Sequence, residues 1–176
     1  MEKKQVLKEI FDFVKWFAVS FALLFILNRT VVINAQVVSP SMENTIMTNG
    51  RVIASRVAYR RNGPSRFDVI IFNDPDGLKS DPFVKRVIGL PGETVEIRDG
   101  LVYINGSDIP LDYSFVRSLY LGSHGPLLVP ENGYFVLGDN RTNSHDSKDW
   151  TNPFVSRDEI LGRVLITYFP RLGRVR

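Results

Sequence analysis

No cysteine occurs anywhere in the 176 residues, which excludes disulfides, thiolate nucleophiles and sulfur-ligated metals and leaves the redox compartment unread. Histidine is almost as scarce. His124 and His145 are the whole supply, and no HExxH-like spacing ties either to a carboxylate, so no metal site is expected and a zinc hydrolase is excluded. The chain is expected to work without a cofactor. Long runs of one charge are missing too: the formal net charge is +3, with arginine and lysine scattered along the chain. That is a poor footprint for nucleic acid and a better match to an anionic membrane surface. Internal repeats and low-complexity segments are absent, and a hydrophobic share of 44% beside a charged share of 23% is ordinary for a globular protein. One domain with a sizeable core is the expectation.

What is present begins with an apolar run from Trp16 to Leu27, broken only by Ser20 and preceded by Lys3, Lys4, Lys8 and Lys15. Twelve helical residues rise only ~18 Å, against roughly 30 Å of hydrocarbon in a bilayer. Extension from Phe13 to Ile33 gives about 32 Å, with Lys15 and Arg29 near the ends, where their stems can snorkel. The competing reading is a cleavable signal peptide, for which Ile33-Asn34-Ala35 is a mediocre cleavage site. An uncleaved anchor is the better fit. The lysines ahead of it favour a cytoplasmic N-terminus, so the expected layout is a short cytoplasmic segment over 1–12, a single-pass anchor over 13–33 and an extracytoplasmic domain over 34–176.

Beyond Asn28 there is little helical periodicity, and the fold expected is mainly β, a folded antiparallel sheet or barrel behind one transmembrane helix. A hairpin is the clearest element, with Thr94 to Arg98 and Leu101 to Ile104 flanking the turn dipeptide Asp99-Gly100. Further strands are expected at Val31 to Val38, Arg51 to Ala58, Asp68 to Phe72, Phe83 to Gly89, Tyr134 to Leu137 and Ile160 to Phe169. The stretch from Pro110 to Pro130, rich in Gly, Ser and Leu without a clean period, reads as an irregular excursion.

Three segments carry chemistry. Ser39-Pro40-Ser41-Met42 follows the first strand, and by itself it is a common turn sequence. In Phe83-Val84-Lys85-Arg86-Val87-Ile88-Gly89 a lysine sits in an otherwise apolar strand, where alternation puts Phe83, Lys85 and Val87 on one face. Burial disfavours its ammonium, which would move the amine toward general-base duty; the alternative is a strand-edge lysine with its head in water. Arg86 cannot be that base, because its guanidinium stays protonated. The third segment, Gly138 to Lys148, packs Asp139, Asn140, Arg141, Ser144, Asp146 and Lys148 together, a polar density that needs a partner network.

The ordered set SPSM, RFDVIIFNDP (Arg66 to Pro75), FVKRVIGLPGE (Phe83 to Glu93) and GDNRTNSHDSK (Gly138 to Lys148) resembles the boxes of type I signal peptidases, and with the N-terminal anchor the resemblance spans nearly the whole chain. It implies a membrane-bound serine endopeptidase that removes signal peptides from secreted preproteins through an acyl-enzyme. Ser41 matches the nucleophile and Lys85 the base of a Ser-Lys dyad. Ser39 matches the hydroxyl that assists the oxyanion, and Ser144 the serine that orients the amine. Asp139, Arg141, Asp146 and Lys148 fall among the supporting positions, and Val37, Met42, Phe83 and Val84 among those lining shallow pockets for small substrate side chains. The partners implied are signal peptides and the lipid bilayer; oligomeric state is not implied.

Two positions depart from the family pattern: Asn44 stands where a proline is common, and Lys148 where an arginine is common. Lysine lacks arginine's planar fork, so a looser support is expected there. His145 occupies a variable position, which favours a bystander over a Ser-His-Asp triad. Competing readings are a self-cleaving Ser-Lys repressor, which lacks a DNA-reading element here, and a silent preprotein-binding relative, which both dyad residues argue against.

Overall fold

The computed structural model describes residues 2–77, 81–112, 114–116, 118 and 120–175. Its first element, α1, runs Glu2–Thr30, and its apolar side chains, Phe13, Phe17, Phe21 and Leu24 among them, point away from the rest of the protein. The span Lys3–Thr30 is long and apolar enough to cross a membrane. Thr30, Val31, Val32 and Ile33 form an unbroken β-branched run, stiff at χ1 and suited to strand. The helix accordingly ends three residues earlier than the hydrophobic pattern predicts, with a last bond from the Val31 N–H to the Leu27 carbonyl at 2.9 Å.

The strands are β1 (Val32–Val37), β2 (Gly50–Ser55), β3 (Val69–Phe72), β4 (Phe83–Gly89), β5 (Thr94–Arg98), β6 (Leu101–Ile104), β7 (His124–Leu128), β8 (Gly133–Leu137), β9 (Val155–Ser156), β10 (Ile160–Phe169) and β11 (Gly173–Arg174). The larger sheet is antiparallel in the order β1-β2-β10-β3-β4-β8-β9, with β11 added beside β10. It is a curled half-barrel and not a closed barrel. Register shifts in β10 against both β2 and β3 supply the bends. A smaller sheet, β6-β5-β7, stands apart. Its hairpin turns at Asp99 and Gly100, whose φ angles of 50° and 81° are the left-handed pair that a two-residue turn demands.

Differences from the expected strands are local. The second strand stops at Ser55 and not at Ala58, because the chain enters a turn. The Pro110–Pro130 stretch contains β7, paired with β5; its Gly125-Pro126 step and the register shift between Val95 and Ile97 erase the alternation that marks a strand.

Among the described residues three apolar clusters form the core. One, around Met42, Ile46, Val52, Val69 and Val164, lies under the first loop. The second joins Ile70, Phe72, Val87, Val136 and Trp150. The third, with Ile88, Val95, Val102 and Phe135, ties the small sheet to the large one. Strand β4 feeds all three, through Val84, Phe83 with Val87, and Ile88 respectively, and it is therefore the rigid bar on which a site can be hung.

Candidate active site

Ser41 lies in a single 3₁₀ turn, Pro40–Met42, where proline at the first position suits the turn's fixed φ. Ser39 precedes it as the capping residue, yet its hydroxyl makes no capping bond. It lies instead 3.0 Å from the Ser41 hydroxyl oxygen. Met42 is fully buried and pins the turn to the core, and Ser41 itself is only 4% exposed. Asn140 grips the same turn twice, donating its backbone N–H to the Ser41 carbonyl at 3.0 Å and its side-chain amide to the Pro40 carbonyl at 3.1 Å.

Lys85 is 4% exposed, in the middle of β4 and opposite Ile70 of β3. Strand β4 packs on the Ser41 turn. On the opposite face of the strand Arg86, wholly buried, grips Asp139 with two bonds of 2.8 and 2.7 Å. Asp139 also accepts from the Thr45 hydroxyl, Arg86 donates to the Phe67 carbonyl at 2.8 Å, and the Phe115 ring covers the guanidinium at 3.8 Å. Removing one partner of such a buried, bidentate pair costs about 3–5 kcal/mol. The pair fixes β4 to the loop that carries Asn140, and so fixes Lys85 relative to Ser41.

Gly138 marks where the pieces converge. A Cβ there would lie 2.2 Å from the Ser144 hydroxyl oxygen and 2.5 Å from the Ser41 carbonyl oxygen, so only glycine lets the two serines approach this closely. The Ser144 hydroxyl bonds Asp146 at 2.5 Å, and the same Asp146 oxygen receives the Gly138 N–H at 3.0 Å. Lys148 completes the loop, with its ammonium 2.8 Å from the Ser144 carbonyl, 3.1 Å from Asp146 and 2.7 Å from Asp149. Three acceptors match three ammonium protons. Lysine therefore meets this network as a point donor, without the fork of an arginine. Arg141 is buried and donates to the Gly138 carbonyl at 3.1 Å.

Of the residues expected to line pockets, Val37, Met42 and Val84 meet in the first apolar cluster. Phe83 lies with the second, its ring stacked on Trp150 at 5.9 Å. His145 is 63% exposed in its side chain, 4.0 Å from Asp149, and His124 belongs to β7 of the small sheet. Gly138 and Thr45 were not singled out from the sequence, and Asn140 was named only as one of the polar residues of its segment. A charged residue alternating with Lys85 in an apolar strand needs a buried carboxylate; that signal leads from Arg86 to Asp139, and from there to its neighbours.

The sequence profile described as signal peptidase, peptidase S26, matches residues 10–169. The chain is 42% identical over 147 residues to the probable signal peptidase I-2 of Synechocystis, covering 81% of this chain and 66% of that one. It is 41% identical over 156 residues to the signal peptidase I of Leptolyngbya laminosa, covering 84% and 75%. The likeness to signal peptidase IB of Staphylococcus aureus is 32% over 179 residues, covering 93% of this chain and 91% of the relative.

Proposed function

Because this chain belongs to the signal peptidase family, peptidase S26, we propose that Ser41 is its nucleophile and Lys85 its general base. Type I signal peptidases are serine endopeptidases, and this is the activity class of the chain. The observation that carries the residue assignment is a lysine 4% exposed on a strand packed against the turn of a buried serine. Desolvation at such a depth favours the neutral amine, the form that accepts a proton.

In this reading the Lys85 amine takes the Ser41 hydroxyl proton as the oxygen attacks the scissile carbonyl carbon. The Ser41 N–H and the Ser39 hydroxyl hold the oxyanion. Collapse breaks the C–N bond, and the proton passes from Lys85 to the leaving amine. Water, deprotonated by Lys85, then hydrolyses the ester and frees Ser41. Ser144, itself anchored by Asp146, keeps the amine aimed. Substrates are preproteins bearing signal peptides, with small side chains before the cut.

Anchorage follows from α1. Residues Ile10 to Thr30 rise about 31 Å, a bilayer's hydrocarbon depth. Lys3, Lys4 and Lys8 precede this span and Lys15 lies in its second turn, against Arg29 alone near the other end, so the N-terminus faces the cytoplasm and the domain lies outside.

The test is a pH-rate profile on a preprotein, with folding checked for each variant. The neutral amine is lost as pH falls through its pKa, so activity fades on the acid side. Lys85→Arg keeps the charge but cannot act as a base, so it folds and is inactive; His145→Ala retains most activity. A substrate with Phe before the cut is not processed. A folded, active Lys85→Arg enzyme, or a folded but dead His145→Ala enzyme, refutes the dyad.

A further inference from the structure

A second polar site lies where the chain leaves α1. Strand β2 ends beside the helix exit: the Arg56 N–H donates to the Val31 carbonyl at 2.8 Å, one residue beyond Thr30. The loop that follows carries Arg60, and the turn before β10 carries Arg157, so three guanidinium groups border one cleft of about 140 Å³. That is several water volumes. Gly162 also lines the cleft. A Cβ there would lie 2.5 Å from the Ser55 carbonyl oxygen and 3.0 Å from the Ile33 side chain, so the cleft abuts the first turns of chain after the helix.

The charge in this cleft is not neutralised from within. Asp68, a buried carboxylate tied to the cleft through Tyr59, pairs with Arg163 at 2.8 Å and accepts from the Tyr59 hydroxyl at 2.9 Å. Glu159 caps the Ser156 N–H. Arg157 is steered by the Tyr59 carbonyl at 2.7 Å. Among the described residues Arg56 and Arg60 are exposed and enter no ion pair. Guanidinium groups suit phosphate oxygens, which they can meet with paired N–H donors.

We propose that this cleft binds the phosphate of an anionic lipid headgroup at the surface from which α1 emerges. The source is lipid and not free phosphate because the cleft is tied by hydrogen bond and packing to the first residues outside the bilayer, where lipid phosphates are concentrated and soluble anions are not. The site rests on α1 spanning a bilayer, but it is separate from the Ser41 turn. It would fix the rotation of the domain about its anchor, a degree of freedom that a single helix leaves open.

The full chain is reconstituted in nanodiscs of phosphatidylcholine with and without phosphatidylglycerol, and lipids retained on release are counted by native mass spectrometry. Wild type retains phosphatidylglycerol over phosphatidylcholine. Each basic side chain at an anionic surface is worth about five-fold in affinity, so Arg56→Gln with Arg60→Gln lowers that retention roughly 25-fold. The equal-charge control, Arg171→Gln with Arg174→Gln, leaves it unchanged. Equal losses in both pairs would mean diffuse attraction and overturn the site, as would equal retention of the two lipids. Inorganic phosphate that binds the wild type in phosphatidylcholine discs as tightly as the lipid does would make this a soluble-anion site and overturn the lipid assignment. A chain that leaves the discs on carbonate washing would sink the anchor itself, a failure visible before any lipid is counted.

Discussion

Ser39 is exposed while the serine beside it in space is buried, and the difference separates their tasks. A hydroxyl 3.0 Å from the Ser41 oxygen, with no capping bond to make, is available to an oxyanion that forms on substrate. Loss of one such donor costs about 2.7–4 kcal/mol of transition-state stabilisation. Ser39→Ala is therefore expected to lower kcat by about 10²–10³ with KM and melting temperature nearly unchanged; a variant within a few-fold of wild type would remove Ser39 from the oxyanion site. Lys148 makes the complementary point. Its ammonium has an oxygen for each proton, so the exchange of arginine for lysine at this position leaves the Ser144–Asp146 arm fully tied.

The turn after Ser41 shows how an element absorbs a departure from its family's pattern. Asn44 has φ of 89°, a left-handed conformation that proline, locked near −65°, cannot enter. Asparagine visits that region more readily than most residues. Asn44→Pro, although it installs the common family residue, should destabilise the protein by about 3 kcal/mol or more and misplace Ser41, whereas Asn44→Gly should be tolerated. Urea unfolding distinguishes them, and a proline variant as stable as wild type would contradict this account of the turn. The same scale shows what was legible beforehand. Strands β4, β5, β6 and β10 were readable to the residue, because alternation, β-branching and an Asp-Gly turn are local signals. Strand β7 was not, since its pairing with β5 sits in a segment that lacks alternation. The proposed serine and lysine stand out as boxes in sequence, but Gly138 matters for the side chain it lacks, and Asn140 acts through a backbone N–H and a side-chain amide whose partners lie about 100 residues earlier, where no local pattern links them.

For the whole molecule, the expected arrangement is a helix in the bilayer whose principal packing is on β1 alone, carrying a domain with three apolar clusters of its own. External protease added to intact cells should therefore digest residues beyond β1 while the chain resists carbonate extraction; protection in intact cells with digestion in broken ones would reverse the topology. The hold of Asn140 on the Pro40–Met42 turn has another consequence, in the order of time. Donor and acceptor are separated by 100 residues, and closing a loop of that length costs about 4 kcal/mol of chain entropy before any contact repays it. The proposed nucleophile is made early in the domain, and the asparagine that seats its turn follows 100 residues after Pro40. A nascent chain that has passed Ser41 but not yet Gly138 lacks the groups that seat that serine, so the proposed dyad is expected to be inactive until the loop after β8 has been made.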